Sequence, residues 1–430
     1  MAHRQSLQSL SLHSKFGQEF QRAKSGSGLA QNRQEVMKLY IISGALPPQL
    51  DGIGDYTALL AAELAKSAEV VVLTGAPNPA PICCVDVESI FSANDPKTIT
   101  AVLARVISDP PDWVLLQYNP FSYGRWGMNL QLPGVMRAIK RSCPETRIGL
   151  MVHEAFVPID SVKFAVMTTW QRWQLWQLGR CADKVLFSIE PWAKKFQRWF
   201  PKQRVDSLAV GSNIPLVSTN REAIRAELGI SKDTVVLGYF GTTHVSRLLS
   251  WVRAAAEAIL ESGRQVLVLY VGPDRNVMNE VLAGVPHLTT GSLPANEVSR
   301  RFSAMDIHLS TFTDGISTRR GSFMTGIQHG IPTVATYGDS TGSDLIAQNG
   351  KAFLLTDAHS PDQFQKLVCS LAADPHKRET IGYEAKRFYA QNFAWERIAM
   401  ELFRLFAETD YKIESANSIV RSNDRNLENS

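Results

Sequence analysis

The chain has 430 residues, of which 44% are hydrophobic, and its formal net charge is +4. That length exceeds one ordinary core and fits two domains of roughly 150–200 residues each. Most of the excess charge lies in residues 1–36, which carry +3, and residues 411–430 add none, so the body between them carries +1. A nearly neutral body excludes a protein built mainly to neutralise nucleic-acid phosphates. No run approaches the ~18 apolar residues of a membrane-spanning helix, and the N-terminus lacks the apolar core of a secretory signal.

Five cysteines occur in the chain, at positions 83, 84, 143, 181 and 369. None belongs to a C-x-x-C pair, and adjacent cysteines do not easily bridge, so the pattern predicts neither a zinc site nor a disulfide framework. A reducing, cytoplasmic compartment is the simplest interpretation.

Residues 1–36 are rich in Ser, Gln and Gly and have few bulky apolar side chains after Phe20. Such a segment cannot bury enough apolar surface to offset the entropy of ordering, so we predict a disordered extension and a folded part that begins at Met37. Because the segment contains Arg and Ser and few acids, a transit peptide is the alternative.

From Lys38 onward, short apolar runs alternate with helical patterns, which is typical of parallel sheets covered by helices on both faces. The runs are nearly continuous, as expected for strands buried on both faces. The first set of predicted strands comprises residues 38–43, 69–74, 113–118, 147–152, 184–188 and 204–210. The second set comprises residues 235–241, 265–272, 287–291, 306–312 and 332–336.

A polar, proline-containing stretch at residues 211–220 separates the two sets and is the predicted interdomain linker. We therefore expect an α/β protein with two Rossmann-like domains, at residues 37–213 and 214–393. A closing helix at 394–410 is a candidate to pack across both domains, and residues 411–430 are expected to form a disordered tail.

The first predicted strand is followed by ALPPQLDGIGDYTALLAAEL, in which Gly52 and Gly54 lie just before a helix start. A missing side chain there allows backbone amides to approach a ligand closely. The stretch is not the dinucleotide fingerprint, because Thr57 occupies the third glycine position. A tight strand-to-helix turn explains the two glycines equally well.

The segment TFTDGISTRRGSFMTGIQHGIPTVAT, residues 311–336, predicts a strand, a polar loop, a short helix and a second strand. Asp314 and Ser317 lie in the loop, and the helix is expected to start near the pair Arg319 and Arg320. Two guanidiniums beside free helix-end amides form a good diphosphate receptor. A solvated arginine pair is the alternative, but open α/β sheets bind ligands at this carboxyl edge.

The same predicted helix start continues with Gly321 and Ser322, whose backbone amides belong to this candidate site. Arg247 follows another strand and polar loop, YFGTTHVSR, and is either a surface residue or part of the site. His153 closes the strand RIGLMV and is either a hydrogen-bonded scaffold residue or an active-site contact.

Together these pieces resemble the GT-B glycosyltransferases, specifically the large nucleotide-sugar family often called family 4. The resemblance covers roughly residues 38–410 and consists of five motifs in order. They are PPQLDGIGDYT, HEAFVP, YFGTTHVSR, the DGIS…GIPTVAT segment and NFAWERIAMEL.

The resemblance implies that the donor nucleotide binds in the second domain and the acceptor in the first. It implies that Gly52 and Gly54 approach the donor phosphate or sugar, that His153 contacts the transferred sugar and that Arg247 binds the diphosphate. Asp314 would take the place of the first acidic residue of the family's paired-glutamate motif.

The chain departs from that motif. Counted back from Gly330, the second glutamate falls on Thr325, and the first falls on Ser317 unless three extra loop residues return Asp314 to the role. The pair Arg319 and Arg320 then indicates a subgroup that holds its donor differently. No D-x-D metal signature occurs, which agrees with metal independence in this fold class, and no metal or other cofactor is expected.

Trp170, Trp173 and Trp176 recur at intervals of three, and further aromatic and basic residues follow at residues 192–199. We expect a helix that packs its aromatic face on the first sheet, because CADKVLFS continues as an ordinary helix-to-strand passage. The alternative is a basic and aromatic surface that contacts the inner face of a membrane peripherally and suits a lipid-linked acceptor.

The sequence thus predicts a glycosyltransferase that moves a sugar from a nucleotide-diphosphate donor to a saccharide or lipid-linked acceptor, with no nucleic-acid partner. The diphosphate leaving group would be stabilised by the three arginines and the helix-end amides. A sugar-nucleotide epimerase or a phosphorylase of the same fold is the enzyme alternative. A non-catalytic nucleotide-sugar-binding protein is the alternative from another class.

Overall fold

The structure, a computed structural model, describes residues 36–159 and 161–428, with the side chains of the last helix described up to residue 413. The extension predicted at residues 1–36 lies, except for Val36, outside the described residues. The described chain forms two compact units. The first contains the chain up to Phe187, the segment Phe196–Asp206 and the residues from Ala399 onward; the second contains Ser188–Lys195 and Ser207–Ile398.

The first unit is built on a seven-stranded sheet in the order β3-β2-β1-β4-β5-β6-β7. Its strands are β1 (Lys38–Ser43), β2 (Glu69–Thr74), β3 (Asp86–Ser89), β4 (Trp113–Tyr118), β5 (Arg147–Val152), β6 (Lys184–Phe187) and β7 (Arg204–Ser207). The helices are α1 (Gly52–Leu64), α2 (Thr100–Ser108), α3 (Gln131–Ser142), α4 (Val162–Cys181) and, where the chain enters the second unit, α5 (Glu190–Phe196).

The interior strand β1 explains why the predicted strands read as unbroken apolar runs. It pairs in parallel with β2 on one side and β4 on the other, so that Ile41 lies opposite Val72 and Leu115. All three side chains are buried, because helices cover both faces of the sheet.

The second unit is built on a six-stranded sheet in the order β10-β9-β8-β11-β12-β13, whose described pairs are all parallel. Its strands are β8 (Val235–Phe240), β9 (Val266–Val271), β10 (His287–Thr289), β11 (Ile307–Ser310), β12 (Thr333–Tyr337) and β13 (Leu354–Asp357). Its helices are α6 (Arg221–Glu227), α7 (Leu249–Glu261), α8 (Arg275–Val281), α9 (Ala295–Phe302), α10 (Gly321–Gln328), α11 (Ser343–Ile346), α12 (Pro361–Ala373) and α13 (Pro375–Asn392).

The last helix, α14 (Trp395–Glu428), is longer than the sequence pattern predicted. We expected it to end at residue 410 and residues 411–430 to be disordered, but the helix continues to Glu428. Neither Gly nor Pro occurs between these ends, so nothing in the chain interrupts the helical hydrogen bonds. In the first unit, Phe406 stacks on Trp113 with the ring centroids 3.8 Å apart, and the Trp113 indole donates to Asp410.

Two features of the described chain bear on its environment. None of its helices has a stretch long and apolar enough to cross a bilayer. All five cysteines are free thiols in the structure.

Candidate functional site

The carboxyl edge of the second sheet brings together the loops that follow β8 and β11. These strands are parallel neighbours, so their following loops, residues 241–248 and 311–320, leave the sheet at the same edge. Backbone hydrogen bonds join the loops: Thr313 N donates to Ser246 O over 2.8 Å, and Leu248 N donates to Thr311 O over 3.3 Å. The fold therefore fixes Arg247 beside Phe312.

Arg247 lies in an aromatic cradle at this edge. Its guanidinium carbon is 5.1 Å from the Tyr239 ring centroid and 4.7 Å from that of Phe312. One terminal nitrogen, Nη2, donates to Ser322 Oγ over 3.2 Å. Gly241 provides room for the group, since a Cβ at that position would lie 2.5 Å from Nη2.

The other terminal nitrogen of Arg247, Nη1, is buried and has no hydrogen-bond acceptor among the described residues. None of the described carboxylates pairs with this guanidinium. A buried, charged donor without an acceptor is costly, so such a group points to a ligand that is an anion.

His308, on β11, is influenced by the same positive charge. Burial lowers the pKa of His308 to about 3, and the charge of Arg247 contributes to the lowering. The imidazole is therefore neutral at ordinary pH, and it does not add a positive charge to the region.

Arg320 also lies against Phe312, with its guanidinium carbon 4.2 Å from the ring centroid. It forms an ion pair with Asp314, whose carboxylate also accepts from Ser340 Oγ over 2.9 Å. The structure thus brings Arg247 and Arg320 together on one ring, but only the charge of Arg320 is balanced by a carboxylate. Asp314 is held as the partner of that arginine.

Arg319 occupies a different environment. Its guanidinium carbon is 4.3 Å from the ring centroid of Trp192, on the segment Ser188–Lys195 that belongs to the second unit. The expected convergence of three arginines is therefore a convergence of two, with Arg319 directed to the tryptophan.

Helix α10 begins at Gly321, directly after Arg320. No side chain caps this helix start, and Ser322, one residue further, accepts from Arg247. The Gly321 amide already donates to Arg319 O over 3.1 Å. The first amides of a helix and its dipole attract anions, so the Ser322 amide and Arg247 form a coherent anion receptor.

Thr325, where the family's second glutamate would fall, is fully buried. Its hydroxyl donates to Gly321 O over 2.8 Å and lies 3.0 Å from Ser212 Oγ. The hydroxyl is satisfied within the protein, so this position offers no carboxylate to a ribose.

Ser317 lines a small cavity of about 50 Å³ together with Ser340 and two carboxylates, Glu190 and Asp344. Burial raises the pKa of Asp344, and the negative charge of Glu190 adds to the effect. Burial also opposes ionisation of Glu190, but hydrogen bonds from Lys194 and Ser343 outweigh it and hold the pKa of Glu190 below its usual range. The cavity offers hydroxyls and carboxylates, which are groups that can hydrogen-bond to sugar hydroxyls.

Gly315 allows the Asp314 loop to approach the loop after β12. Its φ is +81°, and a Cβ there would lie 2.2 Å from Gly338 N. Gly350 has a similar φ of +79°, but a Cβ there would meet nothing within 4 Å.

We expect Gly350→Ala to cost about 1 kcal/mol of the free energy of unfolding through backbone strain alone. Gly315→Ala should cost clearly more and also weaken nucleoside diphosphate binding, because the loop that positions Arg320 must move. Denaturant unfolding and calorimetry on both variants measure this. Equal losses for the two variants would show that the contact with Gly338 is unimportant.

His153 lies at the carboxyl edge of the first sheet, immediately after β5. Its backbone N–H donates to Tyr118 O over 2.9 Å, and the buried ring packs edge-on against Tyr56 at 4.8 Å. Its Nε2 is 2.7 Å from Oε1 of Gln117. This hydrogen bond holds the orientation of the imidazole at the edge of the sheet.

Gly52 and Gly54 both lie in the first turn of α1. The side chain of Asp51 accepts from the amides of Ile53 and Gly54, at 2.9 and 2.7 Å, so the Gly54 amide already has an acceptor. A Cβ on Gly54 would lie 3.1 Å from the backbone of Ala45 and Leu46, whereas Gly52 is exposed with open space around it. Gly54 thus has a packing reason to be glycine, and Gly52 leaves the surface accessible.

Several residues of these two edges were not found from the sequence. Gln117 could have been found, because it is a polar residue inside an apolar strand. Glu190 could not be found, and Trp192 was noted only as one of the aromatic residues at 192–199, because nothing local shows that this segment belongs to the second unit. Within the described part of the chain, no group of three His, Cys, Asp or Glu side chains is placed to hold a metal ion.

Comparison with known proteins places this geometry in context. No family model matches the chain. It is 23% identical over 302 residues to spore coat protein SA of Bacillus subtilis, which covers 64% of this chain and 76% of that protein. It is 26% identical over 221 residues to a D-inositol 3-phosphate glycosyltransferase of Rhodococcus jostii, covering 47% of each chain. This chain therefore aligns with about half the length of the inositol enzyme.

Solved structures resemble the chain over most of its length. HepE of Anabaena, solved with UDP and glucose, has a TM-score of 0.61 at 15% identity, covering 86% of this chain and all of that one. WaaG, a glycosyltransferase involved in lipopolysaccharide biosynthesis, has a TM-score of 0.60 at 14% identity, covering 85% and 98%. A Listeria monocytogenes protein assigned as a UDP-N-acetylglucosamine 2-epimerase is less similar, with a TM-score of 0.51 at 13% identity.

These similarities identify the fold class of the chain. The chain has the GT-B fold, as the sequence predicted, and its resemblance to the nucleotide-sugar-dependent glycosyltransferases is confirmed.

Proposed function

We propose that this chain is a glycosyltransferase that takes a hexosyl group from a nucleoside diphosphate sugar and passes it to a saccharide or lipid-linked acceptor. The observation that carries the proposal is the half-buried Arg247 guanidinium, whose buried Nη1 has no acceptor among the described residues. It lies beside an uncapped helix start at the ligand edge of a parallel sheet. A diphosphate fits this arrangement because it supplies both the acceptor and the negative charge.

The chemistry follows from that placement. Transfer breaks the bond between the anomeric carbon and an oxygen of the β-phosphate and forms a bond from that carbon to an acceptor oxygen, whose proton passes to the released diphosphate or to water. Negative charge therefore develops on the departing diphosphate. Arg247 and the amide of Ser322, with Gly321 beside them at the helix start, would stabilise that charge, which is the main way proteins assist such departures. Arg320 would contribute less, because Asp314 already balances it.

The remaining proposed roles concern the sugar. His153, which is oriented by its hydrogen bond with Gln117, would contact the transferred sugar. Asp314 and Ser317 would contact the sugar from the second unit, and Gly52 would leave room for the donor. Arg319 would take part in donor binding in the position that its contact with Trp192 gives it.

Release of nucleotide tests the function. Purified chain is incubated with UDP-, GDP- and ADP-hexoses, with and without an oligosaccharide or lipid-extract acceptor, and both free nucleoside diphosphate and product mass are followed. We expect nucleotide release that depends on acceptor, with a mass increase of one hexose. Conversion of the sugar without incorporation would identify an epimerase, and binding without release would identify a binding protein. Activity that survives EDTA would support metal independence, which stays a prediction.

A further inference from the structure

Cys83 and Cys84 form a tight turn directly before β3. Val85 N donates to Ile82 O over 3.2 Å, so the two cysteines are the central pair of a four-residue turn. Both side chains are exposed, and the two Sγ atoms are 3.4 Å apart. The turn therefore presents two thiols that are in contact with each other at the surface.

Cys84 has a backbone conformation that favours glycine. Its φ is +61°, in the left-handed region that disfavours residues with a Cβ. A turn with a positive φ at its third residue ordinarily has Gly or Asn there. Because the Cys84 side chain is exposed, packing does not offset the cost of this conformation. A strained residue of this kind points to a role for its side chain, which here is a thiol.

The other three cysteines lie in different environments. Cys143 is buried, and Cys181 and Cys369 are partly buried. Burial raises the pKa of Cys181 and of Cys369, so less of each is present as thiolate, the form that reacts. The exposed pair in the turn is therefore the most accessible site for thiol chemistry among the five cysteines.

A disulfide between these two neighbours would be strained. Consecutive Cα atoms are ~3.8 Å apart, whereas a relaxed disulfide separates its two Cα atoms by ~4.4–6.8 Å. Strain makes a disulfide easier to reduce, and strained, exposed disulfides are the labile ones. The sequence predicts no structural bridge here, and a bond that is readily reduced again is consistent with that prediction.

We propose that Cys83 and Cys84 are a reversible oxidation site, at which a low-molecular-weight disulfide such as oxidised glutathione converts the two thiols into one disulfide. The thiolate of one cysteine attacks the small disulfide, forms a mixed disulfide and releases one small thiol. The second cysteine attacks the protein sulfur of that mixed disulfide and releases the other small thiol. Two electrons pass from the pair to the oxidant, and the two S–H protons end on the two released thiols.

The contact between the thiols indicates an order for these steps. The hydrogen bond with Cys83 raises the pKa of the Cys84 thiol. We therefore assign the first attack to Cys83 and the second, which resolves the mixed disulfide, to Cys84.

The turn is connected to the loop that precedes α1. Ala80 N donates to Pro47 O over 2.7 Å. The loop that contains Pro47 continues to Asp51, whose side chain accepts from Gly54 N at the start of α1. Bond formation would shorten the distance between the sulfurs from 3.4 Å to ~2.05 Å, so the turn must change shape. We expect oxidation to loosen the contact between Ala80 and Pro47.

Alkylation followed by mass spectrometry tests the proposal. The reduced full chain is incubated in glutathione buffers with an increasing oxidised fraction, and the remaining thiols are trapped by alkylation before digestion with trypsin. Residues 67–97 form one tryptic peptide, which contains Cys83 and Cys84 and no other cysteine. We expect this peptide to lose two hydrogen atoms and both alkylation sites together as the buffer becomes more oxidising, and to regain them in reduced glutathione.

Four variants make the test specific. Cys83→Ser and Cys84→Ser should each stop at the mixed disulfide with glutathione, because no second thiol is present to displace it. Cys369→Ser is the matched control, since it removes a partly buried thiol from the second unit and should leave oxidation of the peptide unchanged. Cys84→Gly should form no internal bond and melt at or above the wild-type temperature, because glycine accepts the left-handed conformation.

Three results would overturn the proposal: a peptide that stays fully alkylated in oxidised glutathione, mixed disulfides that do not resolve in the wild type, or disulfide-linked dimers in place of the internal bond. Hydrogen exchange of the Ala80 amide should become faster on oxidation of the wild type and stay constant in Cys84→Gly. An amide that exchanges equally in both states would contradict the connection to the loop before α1. The proposal does not depend on the proposed function, because its readouts are a mass and an exchange rate, and a chain that binds no nucleotide would leave both unaffected.

Discussion

Replacement of Arg247 should weaken nucleoside diphosphate binding by about 10- to 150-fold, the equivalent of the ~1.5–3 kcal/mol of a hydrogen bond to a charged group. The reason is that this guanidinium has a buried nitrogen without an acceptor and no balancing carboxylate among the described residues. A bound diphosphate would fill both roles. Calorimetry with UDP, GDP and ADP on Arg247→Ala and Arg247→Met measures the loss for whichever nucleotide the wild type prefers.

Two further variants make this prediction specific. Arg320→Ala should lose less affinity than Arg247→Ala, because Asp314 already neutralises Arg320. Arg253→Ala is the matched control, since Arg253 lies in the same unit but forms an exposed ion pair with Glu257. Affinity should be unchanged in this control.

The Arg247 variants should keep their thermal stability, and Arg247→Met should keep it best. The methionine preserves contact with Tyr239 and Phe312 while it removes an unbalanced charge. Unchanged nucleotide affinity in both Arg247 variants would place the donor site elsewhere. A large fall in melting temperature would show that the cation stabilises the fold without a ligand.

Much of this site was predictable because parallel strands deliver their following loops to one edge. The junctions after β8 and β11 could be found from apolar runs that end in polar residues, and so Arg247 and Arg320 were expected together. The sequence does not show which arginine is balanced, because that depends on the Asp314 side chain turning toward Arg320. Nor does it show the environment of Arg319, because Trp192 comes from a segment far earlier in the chain. The sequence therefore indicated the arginines but not which one is left unbalanced.

The missed strands have a common physical cause. β3 is a half-exposed strand of sequence DVES, so it shows no apolar run, and β13 has only two apolar residues, Leu354 and Leu355; both strands lie at the edge of their sheets. Their positions depend on the neighbours β2 and β12, which the local sequence does not specify. The long apolar strands were found because both of their faces are buried, so that nearly every residue along them is apolar.

In helix α4 the sequence pattern was visible, but the side of the helix that is buried was predicted wrongly. The period of its tryptophans was visible in the sequence, but periodicity does not say which side of a helix is buried. Gln171 and Gln174 turn inward because the loops after β4 and β5 offer backbone groups that need partners. That demand comes from the tertiary fold, so only the structure shows that Trp173 is exposed.

Asp206→Asn should destabilise the fold strongly. The carboxylate of Asp206 pairs with Lys184, whose side chain is completely buried in β6. Burial lowers the pKa of Lys184, and the attraction of Asp206 opposes that effect. Without the carboxylate, the ammonium would remain buried with no adequate counter-ion, which typically costs about 3–5 kcal/mol of the free energy of unfolding.

The variant Lys184→Met shows whether Asp206→Asn is destabilised by the unbalanced charge of Lys184 or by the loss of the ion pair itself. It removes the buried ammonium and leaves Asp206, which is partly exposed and still bonded to Arg204 Nε at 3.0 Å. Replacing a buried ion by an apolar side chain of similar volume is often nearly neutral. We therefore expect Lys184→Met to be far more stable than Asp206→Asn, and the double variant to resemble Lys184→Met.

The pH dependence gives a second test with a definite sign. In the native state of Asp206→Asn the pKa of Lys184 should fall further, so the folded chain would bind fewer protons than the unfolded chain as the pH rises toward the usual lysine pKa. Stability then increases with pH over that range, and the deficit relative to wild type should shrink between pH 7 and pH 9. Calorimetric melting at both pH values measures it, with Glu257→Gln as the exposed-pair control. A deficit that does not change with pH, or a Lys184→Met variant as unstable as Asp206→Asn, would mean that the ion pair itself stabilises β6 and that the stranded ammonium is not the cause.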